Sequence, residues 1–237
     1  QPGRNLDVLI KYRNDKRYLS VGNMLDKENK AIYGLEFSYE TIPNELNLFD
    51  YDAFKAYKGD FYCVVTNLLT CEAEYMKYTG EDRTNTVLKA TCALPMLFPP
   101  IIINDTPYMD GGLTDSIPFM RALEDGCDRV LVVLTREAGY TKTTSTSTKA
   151  IARYYEKEYP KLSEVMLSRA ERYNECLKQL KEYEDSGKVM VIRPAVSKGF
   201  SRLEKDKNKI LSMYNDGYNQ GYALTGDIKK FFNYSNS

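Results

Sequence analysis

The sequence predicts an α/β fold, and three observations carry that prediction. Arg129 to Leu134 and Val189 to Ile192 are short aliphatic runs of the kind that form strands buried on both faces of a parallel sheet. Asp60 to Tyr78 is rich in β-branched and aromatic residues. Segments of helical composition lie around them, so the chain reads strand, helix, buried strand, long helices, buried strand, helix.

Each element has its own signal. Asn5 to Leu19 carries apolar residues at helical spacing and predicts a first helix. Asp60 to Tyr78 predicts a hairpin or two neighbouring strands, with Val64 and Val65 in one half, Ala73, Tyr75 and Tyr78 in the other, and a turn over Asn67 to Thr70. Asn85 to Leu94 has helical spacing and stops at Pro95, where Leu94 to Pro100 becomes a proline-braced loop. Ile101 to Ile103 and Tyr108-Met109 flank Asn104-Asp105, a good turn pair, and predict a short hairpin ending at Asp110. Ser116 as an N-cap with Pro118 in the first turn predicts a helix, closed by Gly126. Thr141 to Thr148 is polar and of low complexity, a loop signature. Tyr154 to Asp185 predicts one or two long helices, interrupted near Pro160 and closed by Gly187. Leu203 to Tyr222 predicts a helix weakened at Gly217 and Gly221, and Asp227 to Phe232 a last short one.

Composition narrows the function. The 237 residues carry 33 Lys plus Arg against 33 Asp plus Glu, so no basic excess marks a nucleic-acid partner. No apolar run approaches the roughly 18 residues of a membrane span, and no signal-peptide pattern opens the chain. Five cysteines without a C-x-x-C pair read as reduced thiols of a cytoplasmic protein. The chain has no histidine, which excludes a Ser-His-Asp triad, a Cys-His pair and any His-containing zinc site within it. A catalytic base must then be a carboxylate, Lys, Tyr or Cys.

The stretch Tyr108-Met109-Asp110-Gly111-Gly112 places a carboxylate at a strand end before a helix, where sites lie in α/β sheets. Two glycines let the backbone turn tightly and approach a second group. Asp-Gly-Gly is also a common tight turn, in which Asp bonds its own backbone. Asp110 and Asp115 alone make a weak metal site, so no metal or cofactor is expected. Ser186-Gly187-Lys188 lacks the upstream glycine of a phosphate-binding loop.

The segment Thr91 to Pro100, with its small residues leading to Pro95 and then Phe98-Pro99-Pro100, resembles the patatin-like phospholipase family. So do Asp110-Gly111-Gly112, Ser116-Ile117-Pro118 and the aliphatic strand ending Leu134-Thr135-Arg136, and the likeness runs to about Ala195. The resemblance implies a three-layer α/β/α fold, a serine acyl hydrolase with a Ser-Asp dyad, and lipid or other acyl-ester substrates. Asp110 takes the dyad carboxylate's place, supported by Gly111 and Gly112. The family's G-x-S-x-G nucleophile segment and Gly-rich oxyanion loop are not in this sequence; Gly199-Phe200-Ser201-Arg202-Leu203 comes nearest and lacks the closing glycine. The expectation is therefore one domain over residues 1–237, incomplete at its N-terminus, with a helical extension from about Ser197. It supplies Asp110 but not the serine. A preceding segment or a second copy would complete it, and peripheral membrane contact fits the Tyr-rich helix from Tyr154 and the Leu94 to Pro100 loop. Core packing is the commoner use of such a loop. The alternatives are a non-catalytic lipid- or protein-binding module on the same fold, and a carboxylate-dependent phosphotransferase. The latter needs an Asp-x-Asp at a strand end, which the aliphatic strands lack.

Overall fold

The computed structural model describes residues 3–27, 29–196, 199–201 and 203–233. The expected onset of the helical extension at Ser197 lies outside the described residues. Along the chain come α1 (Arg4–Tyr12), α2 (Gly22–Leu25), a π-helix (Phe37–Leu46), α3 (Tyr51–Ala56), β1 (Tyr62–Asn67), β2 (Ala73–Lys77) and α4 (Thr86–Thr91). Next are β3 (Ile101–Ile103), β4 (Thr106–Asp110), a 3₁₀ turn (Gly111–Leu113), α5 (Phe119–Glu124), β5 (Val130–Val133) and α6 (Thr146–Tyr155). The chain continues through α7 (Pro160–Asp185), β6 (Val189–Ile192), α8 (Lys207–Ala223) and α9 (Thr225–Phe231). Helices combine with both antiparallel and parallel strand pairs, an α/β fold.

Two compact units divide these elements: Gln1–Ser116 with Thr144–Arg169, and Ile117–Thr143 with Ala170–Ser237. The first contains an antiparallel sheet in the order β2-β1-β4-β3. Its β3-β4 hairpin turns on Asn104 and Asp105, both at positive φ (49° and 62°), the geometry of the tightest hairpin turns. At the β1-β2 connection, Asn67 Oδ1 accepts from the Leu69 and Thr70 amides, so the side chain imitates a turn of backbone. Successive side chains on a strand point to opposite faces. Accordingly Tyr108 packs with Val65, Ala90, Ala93, Phe98 and Ile101, while Met109 packs with Leu68, Leu113, Leu162 and Met166. Phe98 lies in that first cluster, with Leu94 and Leu97 packed against it, so the proline-braced loop is largely core and only Met96 is exposed.

The π-helix has no counterpart in the sequence reading, because Pro43 inside it signals a helix break. Proline brings no N–H to bond the Tyr39 carbonyl one α-turn back. That carbonyl instead accepts from Asn85 Nδ2 at 2.6 Å, and the wider register is closed by Asn47 N donating to Ile42 O at 2.8 Å. Asn85 is buried and both ends of its amide are bonded: it also donates to the Tyr51 hydroxyl and accepts from the Tyr78 hydroxyl.

In the second unit β5 and β6 pair in parallel, Val130 opposite Val189 through Val133 opposite Ile192. Ile117, Phe119, Val132, Leu134, Leu180 and Val189 form its core. Within the run Arg129 to Leu134 only Val132 and Leu134 are buried, and Val133 between them is 69% exposed, so the double-sided burial expected for this strand does not hold along it. Two boundaries also move. The helix expected from Ser116 starts at Phe119, because the Ser116 hydroxyl bonds Gly112 O rather than capping it. The last three residues of the polar stretch 141–148 are helical, because Ser145 accepts from Thr148 N and caps α6. Among the described residues no helix is long and apolar enough to cross a membrane.

Candidate active site

Asp110 is the last residue of β4, paired with Val65 of β1. Its amide donates to Ala93 O at 3.0 Å, and its carbonyl accepts from Thr66 Oγ1 at 2.9 Å. Thr66 is buried and shares a second 2.9 Å bond with Thr114, just past the turn. The backbone of Asp110 is thus held from β1, from the end of α4 and from the turn that follows it.

The two glycines answer to two different neighbours. A Cβ on Gly111 would lie 2.2 Å from the Val64 carbonyl oxygen, so the chain passes β1 with no space for a side chain. A Cβ on Gly112 would stand 3.0 Å from Asp110 Oδ1 and 3.2 Å from Arg169 Nη2. With that space empty, Gly112 N–H reaches Asp110 Oδ1 at 2.7 Å. The carboxylate therefore bonds its own turn, as the commoner reading of Asp-Gly-Gly requires, and stands at a strand end, as the site reading requires. The next backbone groups are also held: Gly111 O accepts from the Thr114 and Asp115 amides, and Asp115 Oδ2 accepts from the Tyr75 hydroxyl at 2.6 Å.

Cys92 and Arg169, distant in sequence, stand near Asp110, and Tyr39 bonds Cys92; the sequence reading names none of them as site residues. Cys92, at the end of α4, reaches solvent. Burial of its surroundings pushes the thiol up, a hydrogen bond with Tyr39 works the other way, and the charge of Asp110 adds to the rise. The Tyr39 hydroxyl is itself driven far above the usual phenol range, chiefly by burial and then by Cys92. A thiol shifted in this direction ionises less readily, which disfavours Cys92 as a nucleophile. Arg169 of α7 donates from Nε to Gly112 O at 2.5 Å. No local pattern marks these residues. Cys92 reads as one of five scattered thiols, and Arg169 as one charge on a solvated helix.

Among the described residues no three acidic or cysteine side chains are grouped to hold a metal ion. Residues 9–123 match the family model described as patatin-like phospholipase, a match that takes in Leu94 to Pro100 and Asp110-Gly111-Gly112. Residues 159–233 match a second model, a domain of unknown function (DUF6363). No curated protein matches the chain.

Proposed function

On the premise that residues 9–123 belong to the patatin-like phospholipases, a family of lipid acyl hydrolases, we propose that Asp110 is the carboxylate of a Ser-Asp dyad hydrolysing acyl esters of lipids. The observation that carries the reading is the placement of Asp110: a carboxylate at a strand end, held by the Gly112 amide, in a chain without histidine. The serine is not among the residues of this sequence in a G-x-S-x-G setting, so it is contributed from outside them.

The chemistry then needs one base used twice. Asp110 accepts the serine proton as the oxygen attacks the acyl carbon, and passes that proton to the departing alcohol. It next accepts a proton from the water that attacks the acyl-serine, and returns it to the serine as the ester bond breaks. A carboxylate is a weak base for a hydroxyl, so orientation matters more than basicity. The bond from Gly112 N–H to Oδ1 supplies part of that orientation.

The test is Asp110→Asn in the full-length protein. The carboxamide keeps the shape and cannot accept the proton, so ester turnover falls on the order of 10²- to 10⁴-fold while the unfolding midpoint stays close to wild type. Undiminished turnover in a folded Asp110→Asn variant rejects the dyad. The rival reading, a binding module on the same fold, is favoured by the absence of G-x-S-x-G from these residues. It predicts vesicle binding by the full-length wild type with no ester cleavage.

A further inference from the structure

We propose that Arg169 is a positioning residue for Asp110, acting through the backbone of Gly112, so that the DUF6363-matched region supplies a group the acyl-hydrolase site needs. The inference rests on Asp110 being the dyad base.

Arg169 lies within residues 159–233, outside the 9–123 patatin-like match, yet its guanidinium meets the centre of the Asp-Gly-Gly turn. Nε–H donates to Gly112 O at 2.5 Å, across 57 positions of sequence. Ser116 Oγ donates to the same oxygen at 2.7 Å. A carbonyl oxygen has two lone pairs, and here both are engaged. On the other side of the same Cα, Gly112 N–H donates to Asp110 Oδ1 at 2.7 Å. These two backbone groups belong to successive peptide planes joined at a carbon with no side chain. Rotation about such a carbon is the least restricted in the chain. Anchoring the carbonyl limits that rotation and keeps the N–H aimed at the carboxylate.

The anchor has to be an arginine. Its planar fork fixes direction as well as charge, and it stays protonated at every working pH. A charge-assisted bond to a carbonyl is about twice as strong as a neutral one. Arg169 Nη2 and Asp110 Oδ1 also both border the space that a Gly112 side chain would fill, 3.2 and 3.0 Å from its Cβ position. Glycine at 112 therefore serves the arginine and the carboxylate together. Lysine would bring a point charge without the fork.

The experiment compares Arg169→Met, Arg169→Lys and Asp110→Asn in the full-length protein, by kcat and KM on a short-chain ester and by unfolding midpoint. In Arg169→Met, kcat falls roughly 10- to 100-fold, the scale of a small misplacement of a catalytic group, with KM nearly unchanged. Arg169→Lys folds and recovers part of that loss. Should Arg169→Met not fold, Arg169→Lys carries the test. Wild-type kcat in either folded variant, with Asp110→Asn inactive, overturns the role of Arg169 and leaves the dyad standing. Loss expressed in KM alone also overturns it, since that points to substrate binding. A full-length wild type that cleaves no ester overturns both readings.

Discussion

Gly111 and Val64 are so close that a Cβ on the glycine would lie 2.2 Å from the valine's carbonyl oxygen and 2.7 Å from its Cβ. The obstacle is backbone in a paired strand, which cannot swing aside as a side-chain tip can. Gly111→Ala is therefore expected to cost at least about 1–3 kcal/mol, the usual range for overpacking, and to displace Asp110 with it. Gly217 in α8 makes the control, since it is helical and a Cβ there meets nothing within 4 Å. Gly217→Ala should stabilise by about 0.5–1 kcal/mol. Denaturant unfolding of both variants checks the pair, and equal effects would mean that the Gly111 approach is not as tight as the geometry states.

The Cys92 thiol gives a readout of the site that does not need turnover. Burial and the Asp110 charge push it up, against the bond from Tyr39. Alkylation of Cys92 by iodoacetamide should therefore rise with pH along a curve centred above the ordinary thiol value of about 8.5. Asp110→Asn removes one of the raising causes, so the curve should move toward lower pH. Peptide mass mapping separates Cys92 from the other thiols. A Cys92 that labels fast at neutral pH contradicts the assigned surroundings and reopens a thiol as nucleophile.

Asp82 offers a pH dependence with a definite sign. Burial pushes its carboxyl up, but hydrogen bonds from Thr84 and Thr86 outweigh that and bring it down to about 2. A folded-state value below the unfolded one contributes stability that is full above the ordinary Asp range, about 3.9, and is lost as pH falls through about 2. At pH 7 Asp82→Ala removes a cap on the turn leading into α4, and about 0.5–2 kcal/mol is expected to go with it. The difference between variant and wild type should shrink through the window from about 4 to 2. A gap that stays constant across that window would assign the loss to packing and not to the carboxylate.

What could be read from the sequence follows how local each signal is. Asn104-Asp105 takes a hairpin turn because its own residues tolerate positive φ, Pro160 opens α7, and Gly187 closes it at φ 75°. Asp110 is legible because its carboxylate, its turn and its donor are neighbours in the chain. The rest of the site depends on partners far along the chain. Arg169 meets Gly112 57 positions away, and Asn85 supports the Pro43-containing π-helix from 46 positions away, at the Tyr39 carbonyl. Neither pairing leaves a mark on nearby residues. The run 129–134 shows a different limit, since aliphatic composition predicts a strand but cannot say whether both of its faces are covered.

That limit leads to the last prediction. Among the described residues β5 hydrogen-bonds to β6 alone, and Val133 at its end is 69% exposed. An apolar strand with an unpaired edge is a template for another chain, and natural edges are commonly protected by charge, lysine above all. In a sample of residues 1–237 by itself, the cover to hand is a second copy. We expect such a sample to associate as concentration rises, with light-scattering mass above the 27.3 kDa of one chain. Val133→Lys adds a charge at the exposed position without entering the core built on Val132 and Leu134. It should return the mass toward that of a monomer with little change in unfolding midpoint, because surface substitutions usually stay within about 0.5 kcal/mol. A wild-type sample that remains monomeric at the highest concentrations reached would show that the β5 edge is covered within the chain. Association untouched by Val133→Lys would place the contact on another surface, such as the exposed tyrosines Tyr218 and Tyr222 of α8.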